Sequence, residues 1–345
     1  MRYIIAVAVV VILSASPASA APPDSADFSS MDAVSRWVAN YRTKPEPNRL
    51  PAAVRTLSQL GVLKEPEGAG VYVGFVAGVL GANPTRADDL IARMLPVSPA
   101  DHWIIVRAIA YSGHHDWQRW LGKFADRMPM RQSMIEKYLD GRLQTLDEIA
   151  LEKKTPTLWD KVKGYFVYEK PANPATLTFD HSPELLDTLW GYYFATGSER
   201  PIDRIVELLP WANERDNVEK LTMGSMAKFT LASNASRDPN LLSILKRASK
   251  TQAQRVKVVL NEVIDAAESV ETTRLRKDAL ASIEELKRKG PASKRDFSNW
   301  GLVGQGALAL GCIAAAATGH IELGLPCVLG GAASGAALSY WNSSQ

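Results

Sequence analysis

Apolar residues along this chain recur at spacings of three and four, and the period-two alternation of half-buried strands is almost absent. "SSMDAVSRWVANYR" places Val34, Trp37, Val38 and Tyr41 on one helical face behind a Ser cap. "LPAAVRTLSQLGVL" begins with Pro51 at a first helical position and closes near Gly61. "SPADHWIIVRAIAYSG" opens on a capping box, Ser98 with Asp101, and ends at Gly113, a residue suited to the left-handed conformation of a helix terminus. The pattern predicts an all-α fold.

Four stretches share one design: "GVLGANPTRADDLIARMLP", "AIAYSGHHDWQRWLGKFADRMP", "YYFATGSERPIDRIVELLP" and "TLASNASRDPNLLSILKRA". In each, an apolar helix stops at a Gly or Asn, a few polar or Pro residues follow, and a second amphipathic helix begins. The stops are Asn83, Gly113, Gly197 and Asn234, and the first and last pairs lie 30 and 37 residues apart, suiting one helix pair per unit. Such a unit buries its apolar face only against a neighbour, so an irregular, solenoid-like αα-helical repeat is expected. "LWGYYFATG" resembles the first helix of a tetratricopeptide unit, with Leu189, Tyr193 and Gly197 at the motif's Leu, Tyr and Gly positions. The motif's later small and aromatic residues do not match, since Ile202 and Val206 stand there. The resemblance covers about one unit; it implies a helical repeat and no activity. Pro156, Pro171, Pro174 and Pro183 mark 154–183 as a connector between helical halves at 30–153 and 184–286.

"GAGVYVGFVAGVLG" sets Gly70, Gly74 and Gly78 on one face, which lets another backbone come close. The apolar run from Ala69 to Ala82 would extend about 21 Å as a helix, short of a roughly 30 Å hydrocarbon layer. Buried helix packing is therefore expected. Trp103, Trp117, Trp120, Trp190 and Trp211 fall in repeat helices or at their ends, where large aromatics fill the space between stacked helices. Trp117 and Trp120, with Arg119 between them, are the best candidates for anchoring a partner.

The two ends differ from the body. "MRYIIAVAVVVILSASPASA" reads as a signal peptide over 1–20, with Arg2, an apolar core and cleavage between Ala20 and Ala21; residues 21–29 form a linker. At the other end a basic linker, 287–298, carries Lys287, Arg288, Lys289, Lys294 and Arg295. A Gly/Ala-rich stretch, 299–345, follows, with uncharged arms on either side of "HIE". It resembles the glycine-rich helical hairpins of bacterial envelope proteins. Trp300, Tyr340 and Trp341 would meet at its base beside the basic linker, as at a membrane interface. Against spanning stand its weakly apolar Ala and Gly and Pro326, which suits the start of a short second helix. Membrane contact through 299–341 and a hairpin docked on the repeats are both compatible with this pattern. Cys312 and Cys327 are symmetric about the tip, so a disulfide between them is expected; a second helix starting only at Pro326 would require the loop to fold back.

Composition narrows the function. The formal net charge of +3 falls to +2 without the leader, which holds one Arg and no acid. Near balance and export both argue against nucleic-acid binding. Two cysteines do not make a disulfide scaffold. No nucleophile elbow, phosphate loop or dinucleotide fingerprint is present, and the acidic pairs Asp88-Asp89 and Glu284-Glu285 read as solvated helix faces. His114-His115-Asp116 lies in an inter-helix loop, where adjacent side chains are expected to diverge. No catalytic residue, metal or cofactor is therefore assigned. The expectation is a non-enzymatic periplasmic or envelope protein, a scaffold for an unidentified protein partner held at a membrane by its hairpin. Alternatives are an exported helical enzyme acting on cell-wall or sugar polymers, and a hairpin that oligomerises into a pore.

Overall fold

The computed structural model describes residues 28–149, 183–269 and 281. The signal peptide with Ala20 and Ala21, the connector up to residue 182, the basic cluster from Lys287 to Arg295, the aromatics Trp300, Tyr340 and Trp341, and the Cys312–Cys327 pair lie outside the described residues. Every regular element among the described residues is helical. In order these are α1 (Met31–Asn40), α2 (Leu50–Gln59), α3 (Gly70–Ala82), α4 (Ala87–Met94), α5 (His102–Ala110), α6 (Trp117–Phe124) and α7 (Gln132–Leu139). Then come α8 (Pro183–Thr196), α9 (Glu199–Glu207), α10 (Val218–Ala235), α11 (Pro239–Thr251) and α12 (Gln254–Ser269). Among them no helix is long and apolar enough to cross a membrane.

The local signals explain most boundaries. Ser30 caps α1 by accepting from the Ala33 amide at 3.2 Å, and Val34, Trp37, Val38 and Tyr41 are buried as the spacing requires. Gly61, Gly113 and Gly197 adopt φ of 74°, 68° and 66°, the left-handed region that glycine enters without a Cβ penalty. Two expectations need correction. The Ser98–Asp101 box does not form: the Asp101 amide donates to the Ser98 carbonyl in a 3-10 turn, so the Ser98 hydroxyl caps nothing. The Asp101 carboxylate instead accepts from Ser58 Oγ on α2 at 2.5 Å. Asn234 is not a stop residue either; it is buried in the last turn of α10.

Helix α3 is apolar on all sides, so no face can be left to water, and Gly70 through Leu80 are buried. Its most extensive contact is with α8, itself buried from Glu184 to Ala195. The glycine stripe faces this neighbour. A Cβ on Gly74 would stand 1.9 Å from the Thr188 carbonyl oxygen, and one on Gly191 would stand 1.9 Å from that of Val71. At Gly78 it would meet Ala195 Cβ at 2.7 Å. Successive glycines of α3 meet successively later residues of α8, so the two helices run parallel with their backbones in contact. Residues before and after the connector thus share one apolar core.

Parallel packing brings like dipole ends together. At the N-terminal end, Glu184 and Asp187 lie beside Gly70, where both helices favour negative charge. Arg107 of α5 pairs with Glu184 in a largely buried ion pair. Burial pulls the guanidinium pKa down most, but Glu184 together with Tyr111 and Tyr138 outweighs it and raises the pKa of Arg107. Burial also pushes the nearby Tyr111 and Tyr138 phenols up.

A second polar cluster ties α8 to α1 and α11. Tyr193 donates to Asp238 Oδ2 at 2.8 Å, and Arg42 donates to both the Tyr193 hydroxyl and Asp238 while its guanidinium lies 4.4 Å from the Tyr193 ring centroid. Asp238 also caps α11, accepting from the Asn240 and Leu241 amides. Burial raises its carboxyl, but the hydrogen bonds from Tyr193, Arg42 and Leu241 prevail and hold it below the usual range.

Three substitutions check this packing. Gly74→Ala should destabilise the protein by about 3 kcal/mol in denaturant unfolding, because a carbonyl on a packed helix cannot yield. Gly122→Ala, in α6 with nothing within 4 Å of its added Cβ, should stabilise by about 0.5–1 kcal/mol. Asp238→Asn preserves the cap and removes the charge, so it should cost about 1.5–3 kcal/mol at pH 7. A depressed folded pKa contributes stability above the unfolded value of about 3.9 and loses it below. The gap between wild type and variant should therefore close as pH falls through about 4 and beyond.

Candidate functional site

The C-terminal ends of α3, α5 and α8 converge on one side of the core, and a two-chambered cleft opens there. After Ala110 the α5 backbone closes through Tyr111 and Ser112 and reverses at Gly113. Tyr192 of α8 donates to the Ser112 carbonyl at 3.0 Å, and a Cβ on Gly81 of α3 would strike that same oxygen at 2.2 Å. The turn is thus pinned from two sides before it delivers His114, His115 and Asp116. One chamber, of about 220 Å³, is lined by Tyr111, His114, His115, Trp117, Thr145 and Asp147 among others. The adjoining chamber, about 190 Å³, shares Tyr111, Gly113, Leu146 and Asp147 and adds Tyr192, Arg200 and Arg204.

The expected divergence of His114 and His115 does not occur. The Trp117 amide donates to the His114 carbonyl at 3.1 Å, which tightens the turn. The His114 ring stacks on Trp120 at 4.7 Å and 13°, and the His115 ring centroid lies 4.2 Å from it. His114 Nδ1 accepts from the Asp116 amide at 3.1 Å, so that nitrogen carries the lone pair. Asp116 divides its oxygens: Oδ1 lies 3.4 Å from His115 Nε2, and Oδ2 accepts from Arg119 at 3.1 Å.

The opposite wall comes from residues 145–149. Thr145 donates through its amide and its hydroxyl to Glu148 Oε2, each at 2.8 Å, forming a local turn. Arg204 of α9 donates to the carbonyls of Leu146 and Ile149 and fastens the turn to the helical body. Burial lowers the Arg204 pKa, partly opposed by Glu207 and Asp147. Arg200, one turn earlier on α9, reaches Asp147 Oδ1 at 3.7 Å, a weak pair open to solvent. Burial and then Asp147 raise the Tyr192 phenol.

Of the residues singled out as partner anchors, Trp117 is half-buried and lines the cleft, and Arg119 is exposed and paired with Asp116. Trp120 is 0% exposed, so it is not a surface anchor; its ring fills the core and supports His114. Sequence reasoning passed over Thr145, Asp147, Arg200 and Arg204. The only local signal was the spacing of four between Arg200 and Arg204, which puts both on one face of α9. No family model, curated protein or solved structure matches this chain.

Arg204→Ala should release the wall without unfolding the body. Hydrogen exchange at the amides of residues 146–149 should quicken while α3 and α8 keep their protection. Equal protection in the variant would show that the Arg204 contacts do not hold this turn.

Proposed function

We propose that this protein is an exported, non-enzymatic cell-envelope scaffold. In this reading its helix pairs stack as an irregular, solenoid-like array that binds another protein, and its C-terminal hairpin holds it at a membrane. One observation carries the partner-binding part: the α5–α6 turn and the 145–149 turn together expose Trp117, His115, Arg119 and Asp147 around a cleft fixed to the core. Exposed polar loops on a rigid helical frame, with a half-buried Trp and an Arg beside them, are the usual material of binding surfaces. The export and membrane parts rest on the leader and on the uncharged arms of 299–345.

A second reading has a specific observation behind it. Two histidines and two carboxylates, Asp116 and Asp147, belong to one cleft region, as a hydrolase acting on cell-wall or sugar polymers would need. The engagement of Asp116 with Arg119 at 3.1 Å favours binding over proton transfer.

Membrane fractionation with an alkaline carbonate wash tests the anchor, comparing the full chain with a version ending at Ser298. The proposal expects the full chain to resist the wash and the shorter chain to be soluble and folded. A shorter chain that aggregates, beside a full chain released by the wash, would make the hairpin part of the core and remove the membrane from the account.

A further inference from the structure

We propose that the α5–α6 turn is a binding site for a divalent transition-metal ion of the zinc class, held by His114, His115 and Asp116. This is independent of the scaffold reading, and it reverses the expectation from sequence that the turn binds no metal. One donor atom from each of the three side chains lies within 4.8 Å of the others. Two of them already have the spacing of ligands: His115 Nε2 and Asp116 Oδ1 are 3.4 Å apart. Two bonds of about 2.0–2.1 Å at a tetrahedral angle span about 3.3 Å.

The third donor is held by its surroundings. Stacking on the buried Trp120 limits the movement of the His114 ring, and Nδ1, which accepts from the Asp116 amide, is the unprotonated nitrogen. That lone pair is already engaged, so the ion binds there by displacing the amide bond. His115 supplies the adjustment, since its side chain is 82% exposed and can swing the remaining distance. One further feature favours a cation. Asp147 lines the same chamber, and its ion pair with Arg200 is a loose contact at 3.7 Å, which a doubly charged ion can displace. Two imidazoles and a carboxylate suit zinc, cobalt or nickel over magnesium or calcium.

Equilibrium dialysis of the untagged full chain against Co²⁺ and Zn²⁺, with Mg²⁺ as control, tests the site. The expected result is saturable Co²⁺ and Zn²⁺ binding without Mg²⁺ binding. Affinity should fall at least about tenfold in His115→Ala and in Asp116→Asn. An absence of saturable binding, or affinity unchanged in both variants, would overturn the proposal. Should either variant lose its metal-free thermal transition, the visible spectrum of the wild-type Co²⁺ complex decides. Bands of tetrahedral, nitrogen-ligated cobalt support the site, and the weak spectrum of the hydrated octahedral ion overturns it.

Discussion

The contact between the backbones of α3 and α8 is the constraint on which the rest of the structure depends. Two helices approach this closely only where neither carries a Cβ, and Gly70, Gly74, Gly78 and Gly191 remove it on both sides. Four glycines in helices oppose helix formation by roughly 1 kcal/mol each, so the helices persist because the contact compensates. Neighbouring helices then cover this pair. α1 packs on α8 and α5 on α3, and α9 and α10 close over α8. The join between the halves is made by packing in one apolar core.

Parallel alignment gives the pair two chemically different ends. At the N-terminal end the dipoles are met by acids, Glu184 and Asp187, and the Arg107 pair lies largely buried there. At the C-terminal end the last turns of α3 and α8 grip the α5 turn through Gly81 and Tyr192. That grip sets the position of His114 and its neighbours at the surface. The cleft is thus a product of the glycine contact, although its polar residues lie one layer out from it.

The sequence carried what is local. The Ser30 cap, the apolar face of α1, the left-handed glycines and the closeness demanded by the Gly70–Gly78 stripe were all legible, because each depends on residues within a turn or two. The partner of that stripe was not. Gly191 sits inside a tetratricopeptide-like stretch, and pairing it with Val71 is a matter of register between segments more than a hundred residues apart. Tyr193 shows the same limit. It matches a motif position, yet its hydroxyl is occupied by Asp238 and Arg42 from two other elements. At the site, adjacency alone suggested that His114 and His115 point apart. Stacking on Trp120 and the bond to the Asp116 amide, neither visible in spacing, bring them together.

Native-state hydrogen exchange on the amides of α3 and α8 tests the central claim most directly. If the glycine contact unites the two halves, neither helix can open while the other stays folded. Their slowest amides should then share one opening free energy, equal to that of global unfolding. A distinctly lower opening free energy for either helix, with the other still protected, would contradict the account and make the halves separate units that only touch.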